Sequence, residues 1–219
     1  GLLLCIPTAF ALYFYGRDKI IDNHNSNAPR QSGKLSIKFW IAWFGFFTTI
    51  SSEFSTSFWS AALLSDRTGA SSAFSTLCVA ALGTGFGIGR WFIPIWMRKT
   101  TLDVRLKTIL TIQFISFMLF WLSHNLVFSL VMLLFVGIGI SGQFPMTTVR
   151  LIKLSDGKPD LAMGKSAYAA GLAIALAPFL LGFFGDHIGI SKAYLMVPVL
   201  IALSFGAILL TSLQEPQKH

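Results

Sequence analysis

Long apolar runs separated by short, mostly basic segments dominate the chain. Thr68–Gly89 holds 22 residues without Asp, Glu, Lys or Arg, Ser166–Gly185 holds 20, and Ala193–Gln214 holds 22. Thr108–Val149 is 42 uncharged residues, enough for two passes, and His124-Asn125 inside it reads as the tight turn between them. Phe39–Ser65 is a further run, broken only by Glu53. A helix rises about 1.5 Å per residue, so roughly 20 apolar residues cross a hydrocarbon core of about 30 Å. Backbone groups in lipid find no water, so such runs are helical. The pattern predicts an all-α polytopic membrane protein with six complete spans. Ala169–Phe184 and Leu195–Leu210 carry no charged stripe of the kind a helix on a soluble core shows.

The ends and linkers follow the same pattern. Leu2–Tyr15 is apolar but only 14 residues, short for a crossing and without the basic start and cleavage site of a signal peptide. It reads as the end of a preceding transmembrane helix (1–15), and the chain as the back part of a longer membrane protein. Residues 16–38, rich in Asn, Ser, Pro and Gly around 22–33, read as a flexible linker. The six spans occupy 39–214 and a short tail 215–219.

Composition agrees: 54% of residues are hydrophobic and the mean hydropathy is +0.68. A net charge of +8 and a pI of about 9.8 raise the question of nucleic acid. The distribution of charge answers it. Of 17 Lys and Arg, 15 fall in the first linker, in the segments after the second and fourth spans, and in the tail. Only Arg67 and Lys192 lie on the other side. That bias puts the linker and tail in the cytoplasm of a cell-membrane protein. It makes anionic lipid headgroups, not nucleic acid, the expected polyanionic partner. Cys5 and Cys78 have neither metal nor disulfide spacing. His24, His124, His187 and His219 pair with no Cys or carboxylate at ligand spacing, so no metal, cofactor or enzymatic activity is expected.

Small residues predict how the spans pack. Gly83/Gly87 and Gly85/Gly89 in the second span are two overlapping small-xxx-small pairs, which admit close helix approach. In the fifth, Gly164, Gly171, Ala175, Pro178 and Gly182 share one series of helical steps with Tyr168, predicting a close-packing face. In the fourth, Gly137, Gly139, Gly142 and Pro145 mark either a break around a site or plain packing.

Glu53 stands alone inside an apolar run. Thr49, Glu53, Thr56 and Ser60 share one helix face, opposite Phe44, Phe47, Ile50, Phe54 and Phe58. The face predicts that Glu53 looks into the bundle or a wet cavity. Three roles fit it: a proton-carrying coupling residue, a counter-charge for substrate, or a structural hydrogen-bond partner. Thr56 supports the face less firmly, because threonine can bond its own helix. Gln143, beside Gly142 and Pro145, fits substrate contact or bonding of the bend. Trp59 is spaced from Trp43 as an interfacial anchor or a site wall. Tyr168 fits substrate contact or an interface. Arg150 reads as an ordinary basic helix end.

The whole layout resembles the C-terminal half of a major facilitator superfamily transporter. Gly89-Arg90 with Arg98-Lys99 is similar to the basic loop after the second helix of each half. Gly137-x-Gly139-x-x-Gly142-x-x-Pro145 resembles the glycine–proline run of the tenth helix. Ala177-Pro178 through Gly182 to Asp186 and Gly189 resembles the end of the eleventh helix and its turn. Ser52-Glu53-Phe54 with Phe58-Trp59 resembles members that carry an acidic residue in the seventh helix. No acidic residue follows Gly89 before Asp103, and His187 stands where the loop motif is basic. The resemblance implies two inverted three-helix repeats, a partner six-helix half N-terminal to this one, and alternating access for a small-molecule solute. It also implies that the first and fourth spans, with Glu53 and Gln143, line the cavity, and that proton coupling would suit Glu53. A non-transporting receptor or assembly scaffold is the alternative.

Overall fold

The computed structural model describes residues 31–69 and 73–213. The chain divides into two units, Gly1–Gln31 and Ser32–His219; the described helices all belong to the second. The expected preceding helix (1–15), most of the linker and the tail (215–219) lie outside the described residues.

Every element among the described residues is helical: α1 Ile37–Thr68, α2 Ala73–Trp96, α3 Leu102–Leu122, α4 Leu126–Ile140, α5 Gln143–Lys153, α6 Pro159–Ile188, α7 Ile190–Ala193 and α8 Met196–Leu210. Among the described residues five stretches are long and apolar enough to cross a membrane: Thr76–Trp96, Leu102–Leu122, Leu126–Lys153, Pro159–Ile188 and Ile190–Leu210. These make the chain an integral membrane protein. The first expected span is not among the five. At 32 residues α1 has ample length, but Thr48, Thr49, Ser51, Ser52, Glu53, Ser55, Thr56 and Ser57 make its middle polar.

Local chemistry sets the boundaries. Ser36 opens α1 by accepting the Phe39 N–H, and Gly69 closes it in the left-handed conformation at φ 65°. Thr101 caps α3. The His124-Asn125 turn is present, with the Asn125 side chain accepting the Phe128 N–H at 3.0 Å to start α4.

The helices α2 and α3 flank α4, while α6 and α8 flank α1; α3 also meets α8. Close approach explains the first of these pairings. A methyl group on Gly85 would strike the Leu134 backbone, and one on Gly137 would lie 2.9 Å from the Phe86 nitrogen. Gly89 faces Ile138 and Ser141 in the same way. Of the two overlapping pairs, Gly85/Gly89 is therefore the packed one. Gly83 and Gly87 have nothing within 4 Å and are exposed, because a helix buries only one of two faces about 160–200° apart.

The fifth-span expectation also needs correction. Gly164 and Gly171 are open and Tyr168 is exposed. The packed face of α6 is Ala162, Ser166, Ala169, Ala173, Ala177 and Leu181. Alanine methyls are small enough to pack against α1, so the glycines were a misleading marker. Only Gly182 of the predicted face is tightly packed.

Candidate functional site

The fourth span is interrupted. Helix α4 stops at Ile140, a turn holds Ser141 and Gly142, and α5 begins at Gln143. Pro145 supplies the cause. In an unbroken helix its N–H would reach the Ser141 carbonyl, and proline has none. Pro145 instead sits in the first turn of α5, where missing donors are tolerated. The orphaned Ser141 carbonyl accepts from Arg90 Nε at 3.2 Å. The guanidinium also lies 4.5 Å from the centre of the Phe86 ring, a cation–π distance. Gly89 lets the backbones approach and Arg90 fills the open carbonyl, so the Gly89-Arg90 pair serves the break. Arg90 thus lies within α2, six residues before its end, not in a loop as its charge suggested.

Around the break runs a directed set of hydrogen bonds. Gln143 Nε2 donates to the Gly139 carbonyl at 2.9 Å and to Gln113 Oε1 at 2.6 Å. Gln113 Nε2 donates to Ser52 Oγ at 3.3 Å, and Ser52 donates to the Thr49 carbonyl at 2.8 Å. A backbone carbonyl terminates the chain at each end, so both carboxamides have only one consistent orientation. It leaves Gln143 Oε1 buried and without a donor among the described residues. Both glutamines are fully buried at 0% exposure. An unfilled buried acceptor costs about 1–3 kcal/mol, and Ser51, Ser55 and Ser129 Oγ and Arg67 Nη1 are buried without a partner in the same way. Close packing supports the arrangement: a methyl on Gly139 would sit 2.7 Å from the Gln113 nitrogen. A methyl on Gly142 would press on the end of the flexible Met146 side chain, at 2.9 Å, and touch Ile109 Cδ1 at 3.7 Å.

Glu53 follows Ser52 on α1 and is half-buried. It makes no hydrogen bond or ion pair with another described residue, and Arg90 is the cation that acts on it electrostatically. Its expected companions are turned elsewhere. Thr56 donates to the Ser52 carbonyl at 2.7 Å. Thr49 donates to the Gly45 carbonyl at 2.8 Å and bonds Ser204 of α8. Tyr194 donates to the Ser55 and Thr56 carbonyls at 3.3 and 3.2 Å. Thr49 is therefore engaged with α8 and Thr56 with its own helix, while Glu53, like the Ser51 and Ser55 hydroxyls, has no hydrogen-bond partner among the described residues.

Other candidates form packing contacts. The Trp59 indole N–H donates to the Pro178 carbonyl at 3.1 Å, and its ring covers Gly182, whose added methyl would lie 2.7 Å away. Trp43 similarly donates to the Lys165 carbonyl at 2.7 Å. Trp59, Pro178 and Gly182 are thus one α1–α6 contact. Tyr168 is 72% exposed and remote from this contact set. Asp186 and His187, read as a turn, lie in the last turn of α6, with Asp186 exposed.

Arg150 is not an ordinary helix end. It is 2% exposed and pairs with Asp103, 5% exposed, at 2.9 Å. Its other nitrogens donate to Thr211 Oγ1 at 2.8 Å and to the Ile208 and Thr211 carbonyls at 3.1 and 2.6 Å. The second Asp103 oxygen accepts the Leu213 N–H at 2.8 Å. One guanidinium ties α3 and α5 to the carbonyl end of α8, where positive charge is favoured.

Sequence reasoning missed Gln113 and the Asp103–Arg150 pair. Gln113 is the only side-chain amide in the third span, a signal that was present. Among the described residues no group of three His, Cys, Asp or Glu side chains could hold a metal. No protein-family model matches the chain, and no curated protein matches it.

Proposed function

We propose that this chain is the C-terminal half of a secondary active transporter of the major facilitator type, moving a small solute by alternating access. The observation that carries the proposal is the polar site at the interrupted fourth span. Within an apolar bundle, an anchored guanidinium and a buried open acceptor meet at the broken helix, and the bonded chain from that acceptor's amide ends on Ser52, next to a half-buried carboxylate that bonds no described residue. Intramembrane ionisable groups and broken helices are costly features that function explains best. Helix neighbours also support two repeats. Exchanging the first three spans with the last three maps α1–α6 onto α4–α2 and α1–α8 onto α4–α3, and all four are observed pairs. In this proposal Glu53 is the proton-coupling group, Arg90 its electrostatic partner and Gln143 Oε1 a solute contact. The proposal places a partner six-helix half N-terminal to this one, and the linker and tail at the cytoplasmic face of the cell membrane.

Substrate-dependent flux through the full-length protein in proteoliposomes tests this. Flux of any small solute that requires the protein supports a carrier; a receptor or scaffold gives none.

A further inference from the structure

A second surface stands outside the polar site and does not depend on transport. Leu110, Thr111 and Phe114 of α3 and Ile201, Ala202 and Phe205 of α8 line a groove of about 260 Å³. Both helices belong to membrane-crossing stretches, so hydrocarbon is the medium available to the groove. Its one polar side chain, Thr111, directs its hydroxyl onto the Lys107 carbonyl at 2.8 Å. The groove therefore presents almost pure hydrocarbon.

Lys107 stands one turn before Thr111 and two before Phe114 on the same face of α3. Helical side chains lean toward the N-terminus, so its ammonium extends from the groove toward the start of α3. A lysine there lays its stem on apolar surface and its charge at the headgroup boundary. No described residue neutralises it. Asp103, one turn earlier, has both oxygens engaged by Arg150 and the Leu213 N–H. Arg105 is held by Thr100 and the Arg98 carbonyl.

We propose that the α3–α8 groove and Lys107 together bind one anionic phospholipid, an acyl chain in the groove and the phosphate against the lysine. The groove supplies the apolar contact and Lys107 supplies selectivity for negative headgroups.

The test uses the full-length protein in phosphatidylcholine bilayers, with phosphatidylglycerol or phosphatidylcholine probes bearing the same photoreactive acyl chain. Labelling should map to the peptides that contain Leu110–Phe114 and Ile201–Phe205. One cation predicts a preference for phosphatidylglycerol of about fivefold. Lys107→Gln should remove the preference and Lys107→Arg should keep it. Ala202→Leu, which fills the groove, should lower labelling by both probes. Excess glycerol 3-phosphate should not compete. Labelling elsewhere, equal labelling of the unaltered protein by the two probes, or an undiminished preference in Lys107→Gln would overturn the proposal. Competition by glycerol 3-phosphate would also overturn it, since the site would then take a free anion.

Discussion

Two charged sites share this bundle and differ in how completely they are paired. Asp103 and Arg150 are almost wholly buried, and their bonds run to each other, to Thr211 and to the backbone at the end of α8. Glu53 is only half-buried and has no bonded partner among the described residues, while Arg90 reaches it through space and bonds the Ser141 carbonyl. The first site is complete without any ligand. The second keeps donors and acceptors in reserve. Completed charge pairs hold elements together; in the carrier proposed above, the incomplete one is the group that exchanges partners.

Breaking the completed site should have the largest effect. Arg150→Met strands the Asp103 carboxylate in a buried setting and should destabilise the protein by about 3–5 kcal/mol, read as a fall in the unfolding midpoint in detergent. Arg150→Met with Asp103→Leu should recover most of it, because the desolvated charge goes too. If the double variant is as unstable as the single one, the pair is not what Arg150 contributes.

The α2–α4 seam that carries Arg90 to the break comes next. Gly85→Leu forces a side chain into the Leu134 backbone and should cost about 1–3 kcal/mol or more. Gly83→Leu, two residues away on the open face, should stay within about 0.5 kcal/mol. Equal losses would contradict the assignment of the packed face.

Gln113→Leu sharpens the comparison from the other side. It removes the Gln143 amide's fixed acceptor and the Ser52 oxygen's donor, so about 1–3 kcal/mol of stability should go. Gln113→Leu with Gln143→Leu should be less harmful than the sum of the two single changes. A smaller effect is expected of Pro145→Ala. It returns an N–H to the Ser141 carbonyl, so the unfolding midpoint should change little. Arg90→Gln should then be better tolerated in that background than in the unaltered protein. Additive effects would show that Arg90 does not substitute for the missing N–H.

The same contrast explains what the sequence could disclose. Five of the six expected membrane-length runs and the His124-Asn125 turn depend on local pattern, and they were readable. The fourth-span interruption was half readable: Pro145 marks the unpaired Ser141 carbonyl by chain geometry, but nothing local names Arg90 as its donor. Arg90 looked like a loop residue because the first cation after an apolar run often ends the helix. Here Phe92, Ile93, Pro94, Ile95 and Trp96 continue it. Arg150 resembles an ordinary helix end for a related reason, since its partner Asp103 lies 47 residues away. Gly83/Gly87 and Gly85/Gly89 have identical spacing, and only the position of α4 separates them. Gln113 carries no periodic signal, because it is a single amide among apolar residues.

Proton movement through the full-length protein tests the central claim most directly. Proteoliposomes carrying an internal pH-sensitive dye would be offered a panel of small solutes, with radiolabelled counterflow measured in parallel for any solute that responds. Solute-dependent proton entry is expected in the unaltered protein. In Glu53→Gln proton entry should be lost, while solute counterflow and the unfolding midpoint are retained. Absence of flux with every solute, or undiminished proton entry in Glu53→Gln, would contradict a proton-coupled carrier built around this carboxylate.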